Sequence, residues 1–142
     1  MANIPYNRPG RQRQYLSITK HQSIANNSHS KWISVSVERL TFDNADYGHF
    51  NHNISPPAIS WTDITGHMWG FLQNYSEVGM NREQFGYFEN PYNSALRWHG
   101  FPVIPFSQTR YCISNTLITL WVDLGLMDQD DVPALLNKKR LK

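Results

Sequence analysis

One cysteine, Cys112, is the residue of this sequence best suited to nucleophilic chemistry. A cysteine attacks as its thiolate, so a catalytic cysteine needs surroundings that stabilise the anion. Cys112 lies among polar residues at the point where a predicted helix begins, and the free N–H groups of a first helical turn stabilise negative charge. Arg110 adds a positive charge nearby, and the same N–H groups could hold an oxyanion. The alternative is a buried cysteine that acts as a small hydrophobic residue.

A thiol nucleophile also needs a base within hydrogen-bonding distance. Of the six histidines, His67 is the first candidate, because the segment Gly66 to Phe71 reads as a strand of aromatic residues that would mount the imidazole rigidly. His99, in the sequence Arg-Trp-His-Gly shortly before the cysteine, is the second candidate. The alternative for His67 is a structural histidine whose ring nitrogens are satisfied by neighbours.

The elements that must position these residues follow from hydrophobic periodicity. Alternating side chains predict a half-buried strand over Trp32–Leu40, followed by a loop over Asn44–Pro57. A second strand is predicted at Thr65–Gln73, and Phe85–Glu89 is predicted to pair with it. The segment Phe101–Phe106 contains two prolines, which favours an edge strand or a crossing segment.

Two helices are predicted in the last third of the chain. Apolar residues recur at helical spacing from Ile113 to Leu124, so the first helix is expected to begin near Cys112 and end at Gly125. The second is expected to begin after Asp128, with acidic residues early and Lys138, Lys139 and Arg140 in its last turn. The chain is therefore predicted to be of the α+β class.

Charge is distributed unevenly along the chain. Residues 1–31 contain five basic and no acidic side chains, whereas the remaining residues contain eight basic and eleven acidic ones. We expect residues 1–30 to form an extended or loosely ordered basic arm and residues 31–142 to form a single catalytic domain. Such an arm could bind an acidic partner or single-stranded nucleic acid, or it could simply be solvated.

Membrane, metal and cofactor sites are not expected. The first fourteen residues lack the apolar core of a secretory signal peptide, and the apolar stretch Thr116–Met127 is too short to span a bilayer. The loop His49-Phe50-Asn51-His52 could suggest a metal-dependent nuclease, but no acidic residue with ligand spacing accompanies it. We therefore expect no metal, no cofactor and no nucleic-acid substrate.

Three motifs in order resemble a known family. Gly66-His67-Met68-Trp69 is followed by Phe85-Gly86-Tyr87-Phe88, and then by Tyr111-Cys112 leading into a helix that ends Asp123-Leu124-Gly125-Leu126. This order is similar to that of circularly permuted NlpC/P60 hydrolases, which are papain-like cysteine peptidases and amidases. The resemblance implies an antiparallel sheet packed on a helix that begins at the nucleophilic cysteine.

The resemblance also implies the roles of further residues. A third catalytic residue would come from the strand beside His67, where Glu89 is the first choice to orient the imidazole and Asn90 and Gln84 are alternatives. The residues expected to contact the substrate are Trp69, Tyr87, His99 and Tyr111.

The resemblance further implies a substrate, a partner and a location. The substrate would be an amide bond in peptidoglycan stem or cross-link peptides. The protein would be an antibacterial toxin, such as a type VI secretion effector, with an immunity protein as its partner in the producing cell. It would be cytoplasmic in that cell and delivered to the periplasm of a target cell without a signal peptide.

Two other functions are compatible with the sequence. His99-Gly100 followed by Cys112 has a spacing loosely like that of L,D-transpeptidases, in which His99 would be the base. Alternatively, the basic arm and the many aromatic residues could belong to a non-catalytic binding protein, whose affinity would fall steeply with salt. Cys112 would then be dispensable.

Overall fold

The computed structural model describes residues 3–54, 58–93 and 95–141. Within these ranges the protein is a small α+β molecule with two antiparallel sheets and three α-helices. The predicted α+β class is therefore confirmed. In chain order the elements are β1 (Ile4–Tyr6), β2 (Tyr15–Ser17), α1 (Val35–Tyr47), β3 (Met68–Phe71), β4 (Phe85–Glu89), β5 (His99–Val103), α2 (Asn115–Asp123) and α3 (Val132–Leu136).

The predicted strand Trp32–Leu40 is wrong, because most of that segment belongs to helix α1. Ser34 caps the helix by accepting a hydrogen bond from the Val37 amide, and Gly48 ends it in the left-handed conformation at φ 79°. Glu38, Thr41, Phe42 and Ala45 are buried at helical spacing. The alternation before residue 38 therefore includes the helix cap and its first turn, where serine is favoured.

Helix α1 also replaces the start of the predicted loop. The loop was expected over Asn44–Pro57, but residues 44–47 are helical. Residues 55–57 of that loop, which include the predicted proline pair, lie outside the described part of the chain.

The main sheet has the strand order β3-β4-β5 and is antiparallel throughout. Strand β4 has the predicted bounds, whereas β3 is shorter than the predicted Thr65–Gln73. Strand β5 begins at His99, earlier than predicted, and in the described chain it pairs with β4 alone within this sheet. Its position at the sheet edge is as predicted and accommodates Pro102.

The two faces of this sheet are packed differently. Gly70 and Gly86 are paired in register on the face toward α1, and a methyl group added at Gly70 would lie 2.5 Å from the Thr41 carbonyl oxygen. The backbone of α1 therefore lies directly on the sheet. On the opposite face, Phe71 packs edge-on against Trp121 of α2 with 5.0 Å between ring centroids.

The expected loosely ordered arm is instead folded against the rest of the molecule. Strands β1 and β2 form a hairpin, and the amide of Leu16 donates to the carbonyl of Trp98 at 2.8 Å. Tyr15 is fully buried, and its hydroxyl donates to the Glu38 carboxylate at 2.7 Å. The partners in these contacts are distant from one another in the sequence, so the composition of residues 1–30 alone could not predict them.

The arginines of this segment are paired with carboxylates of α1. Arg8 contacts Asp43 at 2.9 Å and Asp46 at 2.6 Å. Arg11 and Arg13 contact the same Asp46 at 2.9 and 2.8 Å. These three cations are therefore occupied within the protein, and they do not form the free basic surface that would attract an acidic partner.

The last predicted helix is shorter than expected. Asp128 caps a 3₁₀ turn over Gln129–Asp131 by accepting from the Asp130 amide at 2.9 Å, and α3 ends at Leu136. The basic residues 138–140 therefore follow the helix and do not form its last turn. Across the described ranges, no helix has both the length and the hydrophobicity needed to cross a bilayer.

Candidate functional site

Three of the predicted site residues lie in one row across the end of the main sheet. Glu89 is paired with His99 in the register of β4 and β5. Met68 is paired with Phe88 in the register of β3 and β4. Continuing that register by one residue places His67 beside Glu89, on the side away from His99. Since side chains alternate between faces, all three lie on the face away from α1. The sheet therefore brings both candidate bases to the same exposed carboxylate.

The next row of the same face is aromatic. Trp69, Tyr87 and Phe101 are aligned across the three strands, with ring centroids 5.0 and 5.9 Å apart. Tyr111 packs against Tyr87 at 5.2 Å, and His67 lies 5.4 Å from Tyr87 on another side. Tyr87 thus contacts both the candidate base and the residue that precedes Cys112.

Three residues predicted to contact substrate are largely covered. Trp69 is 1% exposed, and Tyr87 and Tyr111 are also buried. Their rings lie in or against the row next to His67 and Glu89 and are buried, so direct contact with a substrate stays a prediction. Burial, together with the nearby Glu89, raises the pKa of Tyr87 to about 12, so its hydroxyl keeps its proton at neutral pH.

Cys112 does not begin a helix, contrary to the prediction. It follows a 3₁₀ turn over Thr109–Tyr111 and has an extended backbone, with φ −88° and ψ 131°. Helix α2 begins at Asn115 because the Ser114 side chain accepts from the Leu117 amide and caps it. The thiol is exposed and precedes the first helical turn, so it gains less from the helix dipole than expected.

Asp63 links the candidate base to the candidate nucleophile. Its carboxylate accepts a hydrogen bond from the Ser114 amide at 3.1 Å, two residues after Cys112. Its own amide donates to the His67 carbonyl at 2.7 Å. Asp63 is 5% exposed, so this bridge is shielded from water.

Asp63 was missed at the sequence level, although the sequence contains a signal for it. The Gly66 amide donates to the Asp63 carbonyl at 2.9 Å, which closes a four-residue turn. Aspartate at the first position and glycine at the fourth are typical of such turns. The turn could therefore have been predicted, but the bond to Ser114 could not.

The thiol and the imidazole are not joined in this conformation. The Cys112 thiol points to the Gln108 carbonyl at a sulfur–oxygen distance of 3.9 Å, and across the described residues it has no hydrogen bond to His67. His67 Nδ1 accepts a hydrogen bond from the Asn90 amide at 2.9 Å. Nδ1 therefore carries no proton, and the neutral ring holds its proton on Nε2.

The three candidates for the orienting residue differ in what they contact. Asn90 holds the imidazole through its backbone amide, and its side chain donates to the Gly66 carbonyl at 3.0 Å. Glu89 lies beside His67 but makes no hydrogen bond to it in the described chain. Gln84 bonds Tyr75 and Leu141, away from His67.

A cleft of about 260 Å³ lies beside Tyr111, the residue before Cys112, and neither Cys112 nor His67 is part of its lining. Its lining includes Phe101, Ser107, Gln108 and Tyr111, so it borders the loop that carries Cys112. The Arg110 guanidinium lies 4.8 Å from the ring of Tyr111 and adds positive charge nearby. Outside the 3₁₀ turn that precedes it, the amide N–H of Cys112 has no hydrogen-bond partner among the described residues.

No group of three or more histidine, cysteine, aspartate or glutamate side chains is arranged to bind a metal ion within the described ranges. His67, Glu89 and His99 share a row, but their geometry does not converge on one point.

No protein-family model matches the sequence, and no curated protein or solved structure is significantly similar to the chain. The function must therefore be argued from the site itself.

Proposed function

We propose that the protein is a cysteine hydrolase that cleaves amide bonds, with Cys112 as nucleophile and His67 as base. The main support is the bridge through Asp63, which ties the turn before His67 to the segment after Cys112. The bridge thereby connects the backbone at His67 with the segment after Cys112, although the two come from distant parts of the chain. Cys112 is also exposed, as a nucleophile must be.

In this mechanism His67 takes the proton of the Cys112 thiol, and the thiolate attacks the carbonyl carbon of an amide. The amide N–H of Cys112 donates to the resulting oxyanion. His67 then returns the proton to the leaving nitrogen as the carbon–nitrogen bond breaks, which leaves a thioester. Water, deprotonated by His67, hydrolyses the thioester and restores the thiol.

The first step requires a rearrangement at His67. Nδ1 must exchange the hydrogen bond from the Asn90 amide for the thiol proton, or the ring must change tautomer so that Nε2 accepts. Catalytic hydrogen bonds are often long or unformed without substrate, so the observed separation is compatible with this step. Glu89 is the carboxylate placed to stabilise the imidazolium.

The finer assignment rests on the order of the motifs. A permuted papain-like fold of the NlpC/P60 type, peptidoglycan peptides as substrate and an antibacterial role with an immunity partner are proposed on that basis. The α+β architecture and the face that carries His67, Glu89 and Tyr87 are compatible with it.

A second candidate keeps the same nucleophile but uses His99 as base, as in an L,D-transpeptidase-like enzyme. The observation that favours it is the pairing of His99 with Glu89 in the sheet register. Glu89 thus lies between two histidines, and only mutation can decide which of them serves the thiol.

Alkylation by iodoacetamide tests the two candidates, because Cys112 is the single cysteine and every adduct reports on it. We expect His67→Ala to slow alkylation near neutral pH by roughly tenfold, whereas His99→Ala leaves it unchanged. The reverse result would favour the second candidate. Equal rates in all three proteins would show that Cys112 is an ordinary surface thiol, and the hydrolase proposal would fail.

The substrate is tested separately with purified peptidoglycan. The wild-type protein should release soluble peptide fragments, and Cys112→Ala should release none. If the dyad is supported by alkylation but no fragments appear, the cysteine chemistry stands and the cell-wall substrate is wrong.

A further inference from the structure

A second cleft, of about 240 Å³, combines exposed cations with buried apolar side chains. Its charged lining is provided by Arg82, Lys138, Lys139 and Arg140. Its apolar lining includes Phe85 and Leu135, both almost fully buried. It shares only Ile104 with the cleft beside Tyr111, and neither Cys112 nor the candidate bases His67 and His99 line it.

The basic segment, residues 138–140, is held in place at both ends. At its start, Lys138 has a left-handed backbone at φ 60°, and the Lys139 amide donates to the Ala134 carbonyl at 2.8 Å. Just past its end, the backbone of Leu141 exchanges two hydrogen bonds with the Gln84 side chain, at 2.7 and 2.9 Å. The segment is therefore a fixed wall of the cleft.

Cations held this close together repel one another, and carboxylates of the protein neutralise only some of them. Glu77 pairs with both Arg140 and Arg82. Across the described chain no carboxylate lies within ion-pair distance of Lys138 or Lys139. Two ammonium groups at the cleft thus remain available to an external anion.

The size and the lining of the cleft indicate whether its ligand is a small organic anion, a nucleic acid or an acidic peptide. Sites for small organic ligands are commonly about 300–1,000 Å³, so this cleft is better suited to one or two side chains of a peptide. Single-stranded nucleic acid needs exposed aromatic platforms on which bases stack. The aromatic residue in the lining, Phe85, is 1% exposed, so it offers no such platform.

We propose that this cleft is a docking site for an acidic, aliphatic peptide segment of a partner protein. Carboxylates of the segment pair with Lys138 and Lys139, and an aliphatic side chain between them enters the cleft beside Leu135 and Ile104. The proposal is independent of the cysteine chemistry, because no lining residue acts in the proposed mechanism.

Fluorescence anisotropy tests the proposal with a labelled short peptide of alternating leucine and aspartate. Its matched control is the same peptide with asparagine for aspartate. We expect saturable binding of the acidic peptide alone, weakened by added salt. Lys138→Glu or Lys139→Glu should raise the Kd at least about fivefold, whereas Lys20→Glu, an equal charge change at another exposed site, should not.

An uncharged change tests the apolar part of the site. Ile104→Asn should weaken binding of the acidic peptide without altering its salt dependence. The measurements are repeated in Cys112→Ala, which should bind as the wild type does even if the hydrolase proposal is wrong.

Three results would overturn the proposal. One is equal weakening by Lys20→Glu, which would indicate non-specific attraction to net charge. Another is equal binding of the asparagine peptide. The third is tighter binding of an oligothymidylate than of the acidic peptide, which would make the surface a nucleic-acid site.

Discussion

Two arginine- and lysine-rich segments of this protein look alike in sequence and differ in structure. In the first, Arg8 is 4% exposed at its side chain and lies 2.6 Å from the equally buried Asp46. In the second, Lys138 and Lys139 are exposed and have no carboxylate partner in the described chain. The first segment therefore stabilises the fold by its ion pairs with α1, whereas the charges of the second are available to an external ligand. What separates them is whether the fold brings an acid to the cation.

The chemistry of the side chains suits each role. A guanidinium is planar and can bond two carboxylates at once, as Arg8 does with Asp43 and Asp46. An ammonium group is a compact and strongly hydrated charge on a flexible stem, which suits a reversible contact. Changes at five residues sharpen or break this comparison.

The largest effect is expected from Arg8→Ala. Removing the guanidinium leaves the buried Asp46 with fewer partners, so the free energy of unfolding should fall by about 3–5 kcal/mol. Arg8→Lys keeps the charge but loses the two-sided contact, and it should also be clearly destabilising. Urea denaturation provides the measurement. A loss below about 1 kcal/mol for Arg8→Ala would contradict the structural role of this segment.

The next largest effect is expected from Gln84→Ala. This change leaves the buried amide and carbonyl of Leu141 without partners and should reduce the free energy of unfolding by about 1–3 kcal/mol. Because an amide is neutral, the loss should be the same at low and high salt. The variant should also bind the acidic peptide more weakly, since the basic segment is no longer held at its far end.

A smaller effect on the free energy of unfolding is expected from a change of pH. Two carboxylates of α1, Asp46 and Glu38, should contribute to it in opposite directions. Burial alone would raise the pKa of Asp46, but the guanidinium of Arg8 and hydrogen bonds from three arginines lower it below its ordinary value of 3.8. Its stabilising contribution is present above that value and is lost as pH falls through the lowered folded pKa. Asp46→Asn should remove this acid sensitivity.

Glu38 behaves in the opposite way. Burial raises the pKa of Glu38 above its ordinary 4.5, despite hydrogen bonds from Gln22 and Tyr15. Its contribution is present below 4.5 and is lost as pH rises through the raised folded pKa. Thermal denaturation between about pH 3 and 7 should show a decline above pH 4.5 that Glu38→Gln abolishes, worth about 1.4 kcal/mol per unit of pKa difference. If Glu38→Gln showed the same decline above pH 4.5 as the wild type, Glu38 would not be its cause.

The smallest effect is expected from Lys139→Gln. A lysine without a partner contributes nothing to the fold, so the free energy of unfolding should change by less than about 0.5 kcal/mol. Affinity for the acidic peptide should nevertheless fall. A destabilisation above about 1 kcal/mol would show that Lys139 is structural and would erase the distinction between the two segments.

The parts of the fold that could be predicted are those specified by neighbours in the chain. The composition of Phe85–Glu89 predicts strand β4, and the aromatic residues Trp69 and Phe71 that follow His67 predict the strand beside it. The row of His67, Glu89 and His99 follows from those strands. Helix α1 was misassigned because its cap and first turn happen to alternate in polarity.

What could not be predicted depends on contacts between distant residues. Nothing near Arg8 in the sequence indicates that Asp46 will neutralise it, and the basic arm therefore looked like a solvated tail. Asp63 is similar, since its bond to the Ser114 amide joins two turns that sequence patterns treat separately. The exact start of α2 was also missed, although Ser114 is a favourable cap.

The contact between α1 and the main sheet has a consequence for tracing the ancestry of this chain. At Gly70 the obstacle to any side chain is the Thr41 carbonyl oxygen, which is backbone, so no compensating substitution at a neighbouring side chain can make room. On the next strand a methyl group added at Gly86 would lie 2.5 Å from the Trp32 ring, and on the strand after that one added at Gly100 would lie 2.4 Å from the Tyr87 carbonyl oxygen. A diverging lineage can replace its charged residues gradually, but it must retain Gly70 as long as it retains the helix in this position, and Gly100 as long as it retains the pairing of β4 with β5. Gly70 and Gly100, where backbone oxygens leave no room for a side chain, are thus the positions expected to stay unchanged after overall sequence similarity is lost.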